Sequence, residues 1–151
     1  MLALSIRLVI YYLKHKTVPI TSWNIFVPGG RAIDSILLLC NAFARARVEQ
    51  EQFLFYSICP VNAPENKRMA IAEFLTRANS GTIIGNLELD FTDGEIRYKT
   101  SIDVQGDSLS FELIKRLVYA NVTMMDEYLP GIMSVIYGEV EPKDAIAQIE
   151  S

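Results

Sequence analysis

The sequence of 151 residues contains one histidine, His15, set between Lys14 and Lys16. A single imidazole rules out multi-histidine metal constellations and leaves His15 as the only ring that could activate a nucleophile. Like-charged neighbours lower its proton affinity, but its position after an apolar run reads as an exposed histidine following a helix. Pro28-Gly29-Gly30-Arg31 has the glycines of a phosphate loop without the Gly-x-x-x-x-Gly-Lys-Ser/Thr spacing, and reads as a turn. Asp90, Asp93 and Glu95 gather acids without the spacing of a twelve-residue calcium loop. Turn chemistry accounts for Asp93 and strand pairing for Asp90. Cys40 and Cys59 lie in apolar segments, where a thiol is buried and inert. The residues assign no catalytic group, no metal ligands and no cofactor, and the chain reads as noncatalytic.

What remains is an excess on one long helix. Tyr119, Asn121, Thr123, Met124, Met125, Asp126 and Tyr128 mix polar groups with soft apolar ones. With Tyr119, Val122 and Leu129 added, the apolar stripe is wider than one contact with a sheet uses. Tyr119, Asn121, Met124, Met125 and Tyr128 are therefore the candidate contact with a partner or a second subunit. Packing of the helix between the sheet and an amino-terminal helix accounts for the same width. A pocket between sheet and helix at Asn121 would instead make the chain a small-ligand sensor.

Composition bounds the partners. Half of the residues are hydrophobic and 21% are charged, a balance that folds. Eighteen acids against fourteen bases give a net charge of −4, so no chain-wide cationic field exists to hold nucleic acid. Two cysteines without a C-x-x-C pair fit a reduced cytoplasm. Arg7 interrupts the apolar run from Leu2 to Leu13, and the cations Lys14 and Lys16 follow the run where a signal sequence places them before it. Ala32 to Ala44 is shorter than the roughly twenty residues of a spanning helix and contains Asp34, so no membrane segment is expected. Length and continuity predict one domain over residues 1–151.

The elements that position these residues follow from periodicity. A helix is expected over 2–14, then short strands over 17–46 parted by the Pro-Gly-Gly turn, with a helix at Leu37 to Leu39 as the other reading. Ala42 to Val48 and Phe53 to Cys59 form a hairpin, its second strand apolar on both faces as in a central strand covered by helices. Asn62 and Glu65 cap a helix that has Pro64 in its first turn, Ile71, Phe74, Leu75 and Ala78 on its core face, and Gly81 as a left-handed terminator. Asp93-Gly94 predicts a two-residue type I′ turn. That register pairs Thr92 with Glu95, Phe91 with Ile96, Leu89 with Tyr98 and Leu87 with Thr100. On the opposite face it pairs Asp90 with Arg97 and Glu88 with Lys99. Ser110 caps the long helix, whose core face carries Ile114, Leu117, Val118, Asn121, Met125 and Tyr128. Pro130-Gly131 should kink this helix, Gly138 should stop it, and Pro142 opens a last short helix.

The run Phe53-Leu54-Phe55-Tyr56-Ser57-Ile58-Cys59-Pro60-Val61-Asn62, with Ala72 to Asn79, Ile84 to Asp90, Asp93 to Lys99, Tyr119 to Met125 and Tyr128 to Met133, resembles the YbjN family in its cyanobacterial form. The resemblance covers about residues 42–149. Before it, Ser35 to Cys40 departs from the family pattern in being unusually apolar. The resemblance implies an α+β fold similar to type III secretion chaperones, in the order α-β-β-β-α-β-β-α, with helices packed on an antiparallel sheet. It also implies a regulator of sensory transduction with no established catalytic residue to carry over. Together with the helix surface, this leads to the expectation of a regulatory or chaperone-like protein-interaction module, homodimeric and cytoplasmic, that binds a client protein.

Overall fold

Alternating burial along the strands gives the sheet two unlike faces. The computed structural model describes residues 23–25, 41–47 and 49–151. Five strands are present among them: β1 (Trp23–Ile25), β2 (Asn41–Arg47), β3 (Gln52–Ile58), β4 (Asn86–Leu89) and β5 (Ile96–Asp103). They form one antiparallel sheet in the order β1-β2-β3-β5-β4, so β3 is central. Phe53, Phe55 and Ser57 of β3 are buried, whereas Leu54, Tyr56 and Ile58 on the other face remain half-exposed. The expectation of a strand covered on both sides is thus corrected. The apolar residues of the second face serve cross-strand pairs, as in the stack of Phe43 on Tyr56, whose centroids lie 4.7 Å apart.

Among the described residues three α-helices supply the other layer: α1 (Arg68–Gly81), α2 (Phe111–Tyr137) and α3 (Pro142–Ile149). Ile71, Phe74, Leu75 and Ala78 of α1 are buried, as their spacing predicts. They share a core with Leu87, Ile96, Tyr98 and the carboxyl-terminal half of α2, while Ala42, Ala44, Phe53 and Phe55 pack with Ile114, Leu117, Val118 and Val122. Ser110 Oγ accepts the amide of Leu113 at 3.2 Å and so starts α2. Pro130 lies inside α2 without ending it, and Gly138 follows its last residue. Beside that proline, Gly131 admits α1 and α3, because a Cβ there would come within 2.7 Å of the Phe74 ring. The expected hairpin of β2 and β3 and the helix opened by Pro142 are both present. The helix expected over 2–14, His15, Pro28-Gly29-Gly30-Arg31 and Cys40 lie outside the described residues.

Three local expectations are overturned by contacts remote in sequence. The β4–β5 register pairs Leu87 with Tyr98, Glu88 with Arg97 and Leu89 with Ile96, two residues away from a type I′ turn at Asp93-Gly94. Asp90 Oδ1 accepts the Thr92 amide and Asp93 Oδ1 the Glu95 amide, which draws residues 91–94 into a longer loop. Asp90 therefore turns the chain and does not pair with Arg97. A shift of two preserves the faces, so Leu87 and Leu89 stay inward and only Phe91 is expelled, to 53% exposure. Asn62 does not cap α1. Its Nδ2 donates to the Asp93 carbonyl at 3.2 Å and ties the loops together, while Pro64 precedes a 3-10 turn at Glu65–Lys67. Gly81 ends α1 without a left-handed φ. The left-handed residue is Gly85, where a Cβ would press on the Lys99 carbonyl. Asn79 instead bonds both backbone groups of Leu87, at 2.8 and 2.9 Å, and closes the β4 edge as a further strand would.

Candidate functional site

The five residues proposed on α2 separate by direction. Asn121 is fully buried, and its Nδ2 donates to the carbonyls of Phe55 and Tyr98, each at 3.0 Å, and lies 3.3 Å from Thr100 Oγ1. The amide clamps the helix across β3 and β5. Met125 is buried in the core cluster that also holds Phe74 and Leu75. Tyr128 is buried too, and its hydroxyl donates to Glu150 Oε1 at 3.0 Å. Burial and the Glu150 carboxylate push that hydroxyl up to about 12, so it stays protonated. These three side chains are committed to contacts within the chain.

Tyr119 and Met124 face another way. Tyr119 is 45% exposed, and both residues line a groove of about 420 Å³ with Ala120, Thr123, Ile83 and Ile84. The groove lies on the outer side of α2, not beneath it at Asn121. Ile83 stands at its rim with 96% of its surface in water. The loop that carries it is fixed: Thr82 Oγ1 donates to the Ala78 carbonyl, Tyr98 Oη donates to the Ile84 carbonyl at 2.6 Å, and Gly85 takes φ 84. Ile83 and Ile84 escaped the sequence reading. The signal available was two adjacent branched apolar residues between a helix end and a strand, one of which strand alternation must leave outside.

Glu88, Arg97 and Cys59, away from the groove, have structural roles. Glu88 accepts from Arg97 Nε at 2.8 Å and from Lys99 Nζ, and Arg97 also stacks over Tyr56 at 5.4 Å. Burial pushes the Glu88 carboxyl up, but the two cations outweigh it and hold it below the usual carboxylate range. Burial raises the Cys59 thiol, which is free and inert where it sits. Among the described residues, no group of three or more His, Cys, Asp or Glu side chains is placed to hold a metal ion, and no helix is long and apolar enough to cross a membrane. The arrangement offers rigid apolar contact and no converging acid, base and nucleophile.

The sequence profile of the YbjN family, described as "putative bacterial sensory transduction regulator", matches residues 39–133. No curated protein matches the chain. Among solved structures, E. coli YbjN, described as "a putative transcription regulator", aligns over 88% of this chain and 89% of its own, with 12% identity and a TM-score of 0.54. The ExsC–ExsE complex aligns over 85% of this chain and 92% of the compared one, with 8% identity and a TM-score of 0.45. The first of these alignments shows a shared fold.

Proposed function

The chain belongs to the YbjN family, and from that membership we propose that it is a noncatalytic, chaperone-like regulatory module of the cytoplasm that holds a protein partner on the groove beside Ile83. One observation carries the proposal: an isoleucine 96% exposed on a loop that cannot fold it away. Burying such a side chain is worth about 1.5–3 kcal/mol, which this chain leaves unused. The loop is already ordered by Gly85 and by the Tyr98–Ile84 hydrogen bond, so a partner meets little further entropy cost. An anchor at the rim of a groove with a tyrosine is also the usual composition of an interface centre. The partner is a client protein or a second copy of the chain.

The test compares Ile83→Asp and Tyr119→Asp with the wild-type chain as immobilised baits in native extract, with thermal unfolding of each as the control. Both substitutions are expected to abolish capture of at least one partner while leaving unfolding unchanged, because neither side chain is buried. Retention of every wild-type partner by both variants would refute the groove as the contact.

A further inference from the structure

The outward stripe of α2 follows a pattern that its contact with the sheet does not require. Glu112, Arg116, Tyr119, Thr123, Asp126 and Pro130 recur at spacings of four and three, the repeat of a helix–helix seam. Arg116, Thr123 and Glu127 are exposed, and Lys115 and Asp126 are half-buried. Past Glu112 at its start, charge along the stripe is segregated: Lys115 and Arg116 precede the uncharged centre, and Asp126 and Glu127 follow it. The pairs 115 with 127 and 116 with 126 share one midpoint, residue 121.

We infer that this stripe is the seam of a two-fold antiparallel dimer, in which Arg116 and Lys115 of one copy meet Asp126 and Glu127 of a second copy across an axis at residue 121. The inference rests on the reading of the chain as a protein-binding module and names a second copy as the occupant. With a rise of 1.5 Å per residue, the charged pairs fall about 8 and 9 Å to either side of the axis, with Tyr119 against the other copy's Thr123 at the centre. The same surface patch serves both copies, as two-fold symmetry demands. Parallel helices would set Lys115 and Arg116 against their own equivalents, so charge selects the antiparallel arrangement.

The ion pairs among the described residues are Glu73–Arg77, Glu88–Arg97, Glu95–Arg97 and Glu88–Lys99, and none uses these four groups. Asp126 adds a separate sign. Its Oδ1 is buried and has no hydrogen-bond partner, and burial raises its carboxyl above the ordinary aspartate value. Asp126 as a whole is only half-buried, so an arginine from across the seam meets the open part of its carboxylate and supplies a countercharge. Exposed ion pairs add little affinity, so the centre around Tyr119 holds the dimer and the charges set its direction.

Two variants test this by sedimentation at tens of micromolar. One, K115E/R116E, makes both sides of the seam's centre acidic at 115, 116, 126 and 127; the other, D126K/E127K, makes both sides basic at those positions. The wild-type chain is expected to be dimeric, each variant alone to associate at least tenfold more weakly, and their equimolar mixture to recover a dimer. The fourfold exchange K115E/R116E/D126K/E127K matches itself only when antiparallel and is expected to dimerise, which keeps the test decisive if either charged variant fails to fold. A monomeric wild type overturns the inference and leaves the client form of the proposed function standing. A wild-type dimer that both charged variants retain overturns this seam alone, and a monomeric fourfold variant overturns its direction.

Discussion

Replacing Asn121 tests the inner side of α2. Asn121→Ala deletes two hydrogen bonds of 3.0 Å to the Phe55 and Tyr98 carbonyls, each worth about 1 kcal/mol net. The vacated amide volume adds a cavity cost of about 1 kcal/mol. Against this, Oδ1 is buried without a partner, and its removal returns about 1 kcal/mol. The expected loss is about 2 kcal/mol, or roughly 4–8 °C in Tm for a chain of this length. Asn121→Asp separates hydrogen bonding from shape, because it keeps the volume and turns a donor into a second acceptor facing two carbonyl oxygens. Its ionised form is opposed by burial and by those oxygens, so its folded pKa lies above the unfolded value near 3.9. The extra stability of the protonated form is fully present below about pH 3.9 and is lost as pH rises through the folded pKa. Urea unfolding followed by circular dichroism at pH 7 and pH 4 reads both effects. At pH 7 the order of stability should be wild type, then Ala, then Asp, with the Asp deficit shrinking at pH 4. An Asp variant as stable as wild type at pH 7 would refute the clamp.

Gly94 has φ 82, and a Cβ there would collide with the Ala63 carbonyl. Gly94→Ala should cost at least about 2 kcal/mol, seen as a lower urea midpoint, because a left-handed backbone and a backbone clash must both be relieved. Glu88→Gln should cost about 1–2 kcal/mol at pH 7 by leaving Lys99 without its ion pair and Arg97 with Glu95 alone. The Glu88 carboxyl is depressed in the fold, so its contribution is present above the unfolded pKa and lost as pH falls through the folded one. Wild type and variant should therefore converge in acid unfolding only as pH falls below the ordinary glutamate range and through the folded pKa.

Features governed by neighbours in sequence were legible. The core stripe of α2 from Ile114 to Tyr128, the buried face of α1 and the Ser110 cap all follow from spacing of three and four and from a side chain reaching three residues on. Partners remote in sequence were not. Asp93-Gly94 carries the signal of a two-residue turn, yet Gly94 donates to the Asp90 carbonyl and its own carbonyl accepts the Ala63 amide at 2.7 Å. That docking favours the longer loop, and no local pattern announces it. Asn62 and Asn79 likewise have the composition of caps, and each is used across 31 or 8 residues to hold a backbone group of another element. The candidate site was half legible for the same reason. Helical spacing places Tyr119 and Met124 on α2, but the loop that brings Ile83 beside them is set by Tyr98, fourteen residues beyond Ile84.

The separation of Asn121 from Tyr119 has a consequence for function. Positions 119 and 121 are about 200° apart around a helix, so one faces the sheet when the other faces solvent. A polar residue on the inner side fixes the rotation of α2, since sliding or turning it would strand an amide among apolar groups. With rotation fixed, the outer residues sit in a definite arrangement beside Ile83, whose loop hangs from β5 through Tyr98. Both walls of the groove are thus referred to the same strand: Asn121 bonds the Tyr98 carbonyl, and the Tyr98 hydroxyl holds Ile84. Tyr98→Phe should then loosen the loop without moving the helix. Partner capture should weaken far more than the roughly 1 kcal/mol stability loss of one hydrogen bond would suggest. Capture falling only in step with stability would show that the groove needs no fixed loop.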